Sequence, residues 1–484
     1  MPCTVGQMAT IGDLPDDVLL TMFDFYVVGY QDLCFIEQFF GHHDAIRSWQ
    51  SLVQVCRRWR GLVFASPRRL KLQLYCTTTT PARKTLDVWP ALPLIIRGGV
   101  SETIVDNVIA QLEHSDRICK INLLWCTNSQ IEKLWAIMQA PFPELTILSL
   151  SFGPPSNRLV LPDLFLGGSA PRLRFLALET FQFPGLPKLL LSATHLVHLS
   201  LSNIPHSGYI SPEAMVTYLS VLTSLEEFRL RFDSPQSCPD QETRRSPPPT
   251  RSILPALTFF SFKGVNEYLD DIVSRIDAPK LCRLSTTFFN DIDFSTPGLS
   301  QFINRTPTLG PYSDGEAYFI FGYSDAVVEL HWQSHPKPFH RRMFEVKILC
   351  KVSDWQLSPL AQICALSLHP LLTMENLYIY EIVFPVPDWK DDTENSEWLN
   401  LLLPFTAVKN LYLSKLFSPL IAPALQELTG ARTTEVLPAL KNVLLEGFQP
   451  SEPVQEGIAQ FISARQLIKC PVAISVWERP KRTL

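Results

Sequence analysis

The chain carries no surplus of positive charge. Its 42 lysines and arginines stand against 47 aspartates and glutamates, a formal net charge of -5. Binding a phosphate backbone draws on an excess of cations, so composition gives nucleic-acid binding no support. Long apolar runs are missing too. No charge-free apolar run reaches the 18 or so residues that a membrane-crossing helix needs, so a membrane is not among the expected partners. The first residues, Met1-Pro2-Cys3-Thr4-Val5-Gly6-Gln7, have neither a basic start nor an apolar core and do not read as a secretory signal. Cys-x-x-Cys never occurs among the 11 scattered cysteines. An odd, dispersed set in a long chain predicts reduced thiols in the cytoplasm or nucleus, most of them small core residues.

Catalytic signatures are equally scarce. There is no Gly-x-Gly-x-x-Gly, no phosphate-binding Walker loop and no His-Glu-x-x-His. Gly322-Tyr323-Ser324-Asp325-Ala326 approaches the Gly-x-Ser-x-Gly nucleophile elbow but ends in alanine. An elbow leads from a strand into a helix. Val327 to Trp332 alternates like a strand instead, so a serine hydrolase at Ser324 stays a remote alternative. His42, His43 and Asp44, and likewise His331, His335 and His340, lack a second cluster at metal-ligand spacing. The expectation is therefore a non-enzyme with no catalytic residue, metal or cofactor.

What the chain does have is apolar material and proline. Hydrophobic residues make up 46% of it, enough for a large core, and 40 prolines cut it into short elements. Its 484 residues correspond to two to four units at roughly 150 residues each.

Near the start, Leu14-Pro15-Asp16-Asp17 reads as a helix N-terminus, with proline where an N–H is dispensable and acids at the positive end. Val18, Met22 and Tyr26 recur one turn apart with Leu19 and Phe23 beside them, giving a wide apolar stripe. A second stripe, Leu52, Val55, Cys56, Trp59, Leu62 and Val63, predicts one further helix with Arg57, Arg58 and Arg60 on its other face. Ser66-Pro67 ends it. The arginines read as a solvated helix face.

From about residue 115 a phrase recurs: apolar, two residues, apolar, one residue, apolar. It appears as Ile118/Ile121/Leu123, Leu145/Leu148/Leu150, Leu173/Leu176/Leu178, Leu196/Leu199/Leu201, Leu225/Phe228/Leu230 and Leu257/Phe260/Phe262, then as a broken copy, Leu281/Leu284/Thr286. Later copies are Val327/Leu330/Trp332, Met374/Leu377/Ile379, Val408/Leu411/Leu413 and Leu440/Val443/Leu445. The first seven start 27, 28, 23, 29, 32 and 24 residues apart. Each phrase predicts a short strand with alternate side chains turned inward, and proline before many copies is expected to open the strand. Segments between them, such as Ser211-Pro212-Glu213 onward, 266–276 and 358–366, predict helices. The pattern weakens over 287–373, where distorted repeats are expected. Residues 234–252, with Ser246-Pro247-Pro248-Pro249, and 387–394 predict exposed loops. Helix 457–468 and a strand at 472–476 are expected near the end.

Two resemblances follow from these residues. Leu-Pro-x-x-Val-Leu-x-x-x-Phe over 14–23, followed by Trp-x-x-Leu-x-x-Val-Cys-Arg-Arg-Trp-Arg over 49–60, resembles the F-box family. The text between them resembles the expanded F-box form common in mushroom-type fungi. So do Ser66-Pro67-Arg68-Arg69-Leu70 and Arg83-Lys84-Thr85-Leu86-Asp87-Val88-Trp89-Pro90. The irregular phrase looks like a leucine-rich repeat whose helical side varies in length. The resemblance implies an α/β chain: an F-box-like helical domain over 10–70 with an insertion at about 27–48, a connecting segment at 71–114, a leucine-rich-repeat-like solenoid over 115–450, and a C-terminal cap at 451–484. It implies the role of a substrate-recognition adaptor in an SCF-type ubiquitin ligase, acting in ubiquitin-dependent protein degradation. The partners would be a Skp-type adaptor, its cullin and an unidentified target protein. Adaptor contact is carried by resemblance onto Leu14, Pro15, Val18, Leu19, Phe23, Leu52, Val55, Cys56, Trp59 and Leu62. The alternative of another class is a repeat scaffold not coupled to ubiquitination.

Overall fold

A computed structural model describes residues 11–28, 43–124, 128–151, 159–182, 186–235, 250–289, 297–309, 315–322, 325–332, 342–349, 357–365, 369–382, 395–447 and 452–479. The fold is mixed α/β, with mostly parallel strand pairing and helices in the crossovers. It divides into two compact units, Met1–Ala193 and Thr194–Leu484.

The first unit opens with three helices: α1 (Asp16–Val28), α2 (His43–Val55) and α3 (Arg57–Ala65). The second stripe of the sequence is thus two helices rather than one. The chain breaks at Cys56, whose backbone is extended (φ -158°, ψ 171°) and whose thiol accepts from the Trp59 N–H at 3.4 Å. A side chain that satisfies an orphan N–H at a helix start favours a new helix over continuation of the old one. Pro15 sits just before α1, and its carbonyl accepts from the Leu19 N–H at 3.0 Å. Strands β1 (Leu74–Thr77), β2 (Leu94–Gly99), β3 (Ile118–Leu124), β4 (Ile147–Ser151) and β5 (Phe175–Glu179) follow, each parallel to the next. The parallel ladder therefore begins at Leu74, inside the stretch expected as a connector. Helix Val105–Leu112 makes the β2–β3 crossover that a parallel pair requires.

Among its described residues the second unit has eleven strands in its large sheet, beside the short parallel pair Ser252–Ile253 and Ile276–Asp277. The eleven are β6 (His198–Ile204), β7 (Glu227–Phe232), β8 (Phe259–Gly264), β9 (Arg283–Phe288), β10 (Gly315–Phe321), β11 (Asp325–Trp332), β12 (Arg342–Leu349), β13 (Met374–Glu381), β14 (Asn410–Leu413), β15 (Asn442–Glu446) and β16 (Ala473–Trp477). Their order is β6-β7-β8-β9-β12-β11-β10-β13-β14-β15-β16. The register sets equivalent phrase positions side by side: Leu199 beside Phe228, Phe260 and Leu284, and Leu201 beside Leu230, Phe262 and Thr286. At the other end Leu377, Leu411, Val443 and Ile474 form one row, and Ile379, Leu413, Leu445 and Val476 the next. All are buried except at the final strand, where Ile474 and Val476 are half exposed. One row of the phrase thus stacks on the next and forms a continuous core that no single strand–helix pair could bury alone.

The prolines before the phrases play a different part from the one expected. They do not open strands; they hold turns. The N–H of Leu173 bonds the Ala170 carbonyl across Pro171 (3.1 Å), Leu257 bonds Leu254 across Pro255 (3.3 Å), Leu281 bonds Ala278 across Pro279 (3.1 Å) and Leu440 bonds Leu437 across Pro438 (3.0 Å). Proline second in a four-residue turn has its φ already set and withholds no N–H that the turn uses. The turn then delivers the buried first leucine of each phrase.

Between β9 and β13 the pattern changes because the pairing changes. β11 runs antiparallel to both β12 and β10, with β12 parallel to β9 and β10 parallel to β13. Val327/Leu330/Trp332, counted as a repeat copy, lies on the middle strand β11 of this meander and starts no strand–helix unit. Its alternation is real, and Leu330 and Trp332 are buried, but period two is common to both kinds of strand. The helices between strands follow the local signals. Pro212–Val221 starts at Ser211, whose hydroxyl accepts from the Ala214 N–H at 3.3 Å. Helices Asn266–Ser274, Leu357–Ala365 and Glu452–Leu467 occupy the other expected places. Residues 236–249 and 387–394, expected as loops, lie outside the described residues.

Candidate functional site

In the helical start of the chain two adjacent rows of α1 have opposite fates. Leu19, Phe23 and Val27 are buried, at 0%, 2% and 1% exposure. Val18, Met22 and Tyr26, one position earlier in each turn, stay 39%, 45% and 42% exposed, and Phe25 reaches 76%. Phe23 packs on Trp59 of α3 with ring centroids 4.7 Å apart. On α2, Trp49, Leu52 and Val53 turn inward, whereas Val55 is 59% exposed at the helix end. Trp49 is fixed from outside the helices: its indole N–H donates to the Gln73 carbonyl at 3.0 Å, and its ring meets Trp89 edge-on at 5.2 Å.

The three arginines are exposed, as expected of a solvated face, and Arg58 and Arg60 also brace this unit. Arg58 reaches back to α1, bonding Asp16 at 2.6 Å and the Leu14 carbonyl at 2.6 Å. Three arginines in the first turn of α3 oppose its helix dipole, and the Asp16 carboxylate offsets part of that cost. Arg60 Nε donates to the Val53 carbonyl at 3.0 Å, tying α3 to α2.

The ten residues assigned to adaptor contact therefore separate. Pro15, Val18, Val55 and Cys56 are exposed; Leu14, Trp59 and Leu62 are half-buried; Leu19, Phe23 and Leu52 lie in the core of the chain itself. Met22, Phe25 and Tyr26 join the exposed set. Met22 and Tyr26 were legible as the continuation of the Val18 row at helical spacing, but Phe25 lay off that row.

A second surface is the strand face opposite the leucine rows. Tyr318, Tyr378 and Tyr412 occupy neighbouring positions on β10, β13 and β14, with parallel rings 4.7 and 4.1 Å apart. Burial and the hydrogen bond to Glu316 (2.7 Å) hold the Tyr318 phenol protonated well above its ordinary range. Arg479 closes one end: it lies 5.1 Å over the Tyr380 ring and pairs with Glu381 (2.8 Å) and Glu446 (2.9 Å). Asn376, Asn410 and Asn442 bond side chain to side chain across the same strands at 2.8 and 2.7 Å.

Other candidates take plainer places. Gly322 donates its N–H to the Asp325 carbonyl at 2.8 Å in the hairpin between antiparallel β10 and β11. A strand follows where an elbow needs a helix, and Ser324 itself is outside the described residues. His331 pairs with Glu329 at 3.2 Å on β11; His42, His335 and His340 and the side chain of His43 are outside the described residues. Among the described residues no group of three or more His, Cys, Asp or Glu side chains is placed to hold a metal, and no helix is long and apolar enough to cross a membrane. Burial pushes the Cys76 and Cys119 thiols up to about 11 and raises that of Cys364 further.

No protein-family model matches the chain, and no curated protein does.

Proposed function

We propose that the chain is a target-recognition subunit of an SCF-type ubiquitin ligase, with an F-box-like start and a leucine-rich-repeat-like solenoid. The observation that carries this reading is the exposed set Val18, Met22, Phe25 and Tyr26 on one helix of a unit whose inner row is already spent on its own core. A contiguous apolar patch of this kind on a small helical unit marks a docking surface. The F-box spelling of residues 14–23 and 49–60 names the partner as a Skp-type adaptor, with the contact borne by Pro15, Val18, Met22, Phe25, Val55 and the half-buried Leu14, Trp59 and Leu62. The chain itself performs no chemistry in this scheme. Tethering a target beside a charged ubiquitin carrier raises its effective concentration. Targets would sit on the strand face, where aromatic and arginine side chains supply anchors of the type that dominates interfaces.

Co-expression with a Skp-type adaptor and a cullin tests the reading. The wild-type chain is expected to bring down both. Recovery of neither leaves the second reading, a repeat scaffold not coupled to ubiquitination.

A further inference from the structure

The outward positions of β7, β8 and β9 are Glu227, Arg229 and Arg231; Phe259, Ser261 and Lys263; and Arg283, Ser285 and Thr287, aligned strand to strand by the register. Four cations thus stand against one carboxylate on three neighbouring strands of a protein whose net charge is negative. Asp233 lies just past the end of β7; one strand beyond β9, Glu345 stands beside Ser285, and Lys347 continues the Arg231–Lys263 row beside Thr287, paired there with Asp325. Two of the cations are pre-positioned. The Phe259 ring lies between the Arg229 and Arg283 guanidinium groups, 5.0 and 4.5 Å from its centroid. Arg229 has one carboxylate partner, Glu227 at 3.3 Å, which it shares with His198, and its Nε finds no acceptor. Neither Arg283 nor Lys263 has a carboxylate within ion-pair distance among the described residues.

We propose that this face binds an acidic peptide segment of a partner protein in extended conformation, with its carboxylates on Arg229, Arg231, Lys263 and Arg283. Guanidinium forks held against a ring match carboxylates in pairs and lose little freedom on binding them. Alternate side chains of an extended peptide lie about 6.6 Å apart, the separation of Arg229 and Arg231 along β7. The crowding is felt already: burial, and the nearby Arg231 and Lys347 charges, make the Lys263 ammonium easier to deprotonate against the pull of Asp233. A bound anion would relieve it. Thr287, half-buried beside Lys263, adds a hydroxyl donor. The inference rests on the reading that the strand face receives targets, and it names their chemistry.

The test is fluorescence polarisation with the full chain and two labelled decapeptides, one alternating glutamate with valine and one alternating lysine with valine. The glutamate peptide is expected to bind at least ~10 times tighter, with affinity falling as salt rises. A Lys263→Ala, Arg283→Ala double variant is expected to lose at least ~10-fold of that affinity. Its circular dichroism should be unchanged. Arg231→Gln, at an exposed position, gives a second measure should the double variant unfold. Equal binding of the two peptides, no binding of the glutamate peptide, or an unchanged affinity in the variants overturns the proposal. So does tighter binding of a single-stranded oligonucleotide of equal charge. Adaptor capture by the same double variant is read separately: its loss in wild type and variant alike removes the ligase role and leaves this surface standing.

Discussion

The opposite fates of the two rows on α1 can be measured against each other. Phe23 is 2% exposed and sits 4.7 Å from the Trp59 ring. Replacing a buried phenylalanine by alanine costs about 3–5 kcal/mol, the lost transfer energy plus the cavity left behind. Of this, the aromatic pair accounts for about 0.5–1.5 kcal/mol. Met22, the preceding residue, is 45% exposed. Its replacement by alanine falls among surface substitutions, within about 0.5 kcal/mol. The two variants differ by one position in the chain and by roughly tenfold in expected effect. Native-state hydrogen exchange of peptides covering 14–28 in the full chain reads the difference locally. At about 1.4 kcal/mol per factor of ten, Phe23→Ala should speed exchange of α1 by about 100-fold or more, and Met22→Ala by less than about 3-fold. Equal acceleration by both, or none by Phe23→Ala, would refute the assignment of an inner and an outer row.

Further outcomes follow from single sites. Cys56 is exposed, whereas Cys76, Cys119 and Cys364 are buried with their thiols held protonated; iodoacetamide at pH 8 should alkylate Cys56 first and spare the other three, as peptide mapping would show. Burial, reinforced by Glu329, raises the Glu345 carboxyl above its ordinary 4.5. The folded state then holds its proton more tightly than the unfolded state does, so this group lowers stability as pH climbs from about 4.5 through the raised value. Glu345→Gln should therefore stabilise the protein at pH 7, with the gain fading near pH 4.5 in urea titrations at the two pH values. Thr286, wholly buried, occupies a row held by Phe262 and Val346 on the adjacent strands, and its hydroxyl donates to the Glu345 carbonyl at 3.2 Å. Losing one such bond and gaining a methyl in an apolar row offset each other, so Thr286→Val should shift stability by no more than about 1 kcal/mol; a loss above about 2 kcal/mol by the same titration would show that the hydroxyl is essential there.

Much of the fold was legible because it is local and repeated. A buried residue at the first, fourth and sixth places of each phrase needs only a turn, a strand and a helix to return the chain, and the register then follows from stacking like on like. Leu148 beside Leu176 and Leu411 beside Val443 are direct consequences. The misreadings came where one residue pattern serves two structures. Alternation at Val327, Leu330 and Trp332 fits an antiparallel meander as well as a repeat strand, because strand direction leaves no trace in side-chain period. The stripe from Leu52 to Val63 looked like one helix because the break at Cys56 keeps both halves facing the same core. The prolines before the phrases were visible, but only the hydrogen bonds across them distinguish a turn from a strand start. In the candidate site, the apolar residues of α1 could be picked out, yet which of two adjacent rows meets the core depends on where α3 packs. That choice rests on tertiary contacts such as Phe23 with Trp59 and Arg58 with Asp16, which lie 36 and 42 residues apart. The tyrosine row of Tyr318, Tyr378 and Tyr412 was hidden for the same reason, since it assembles across strands and not along one.

The central claim is that the outer row of α1 is an adaptor-docking face. It is tested most directly by titrating a Skp-type adaptor into the full chain by calorimetry, beside a Val18→Asp, Met22→Asp variant. Both substitutions fall at exposed positions and should leave the helical unit folded. The account predicts saturable binding by the wild type and a loss of at least ~2 kcal/mol in the variant, about 30-fold in affinity, with unchanged circular dichroism. Wild-type binding that the variant retains in full would contradict the docking face, and no binding by the wild type would contradict the adaptor role itself.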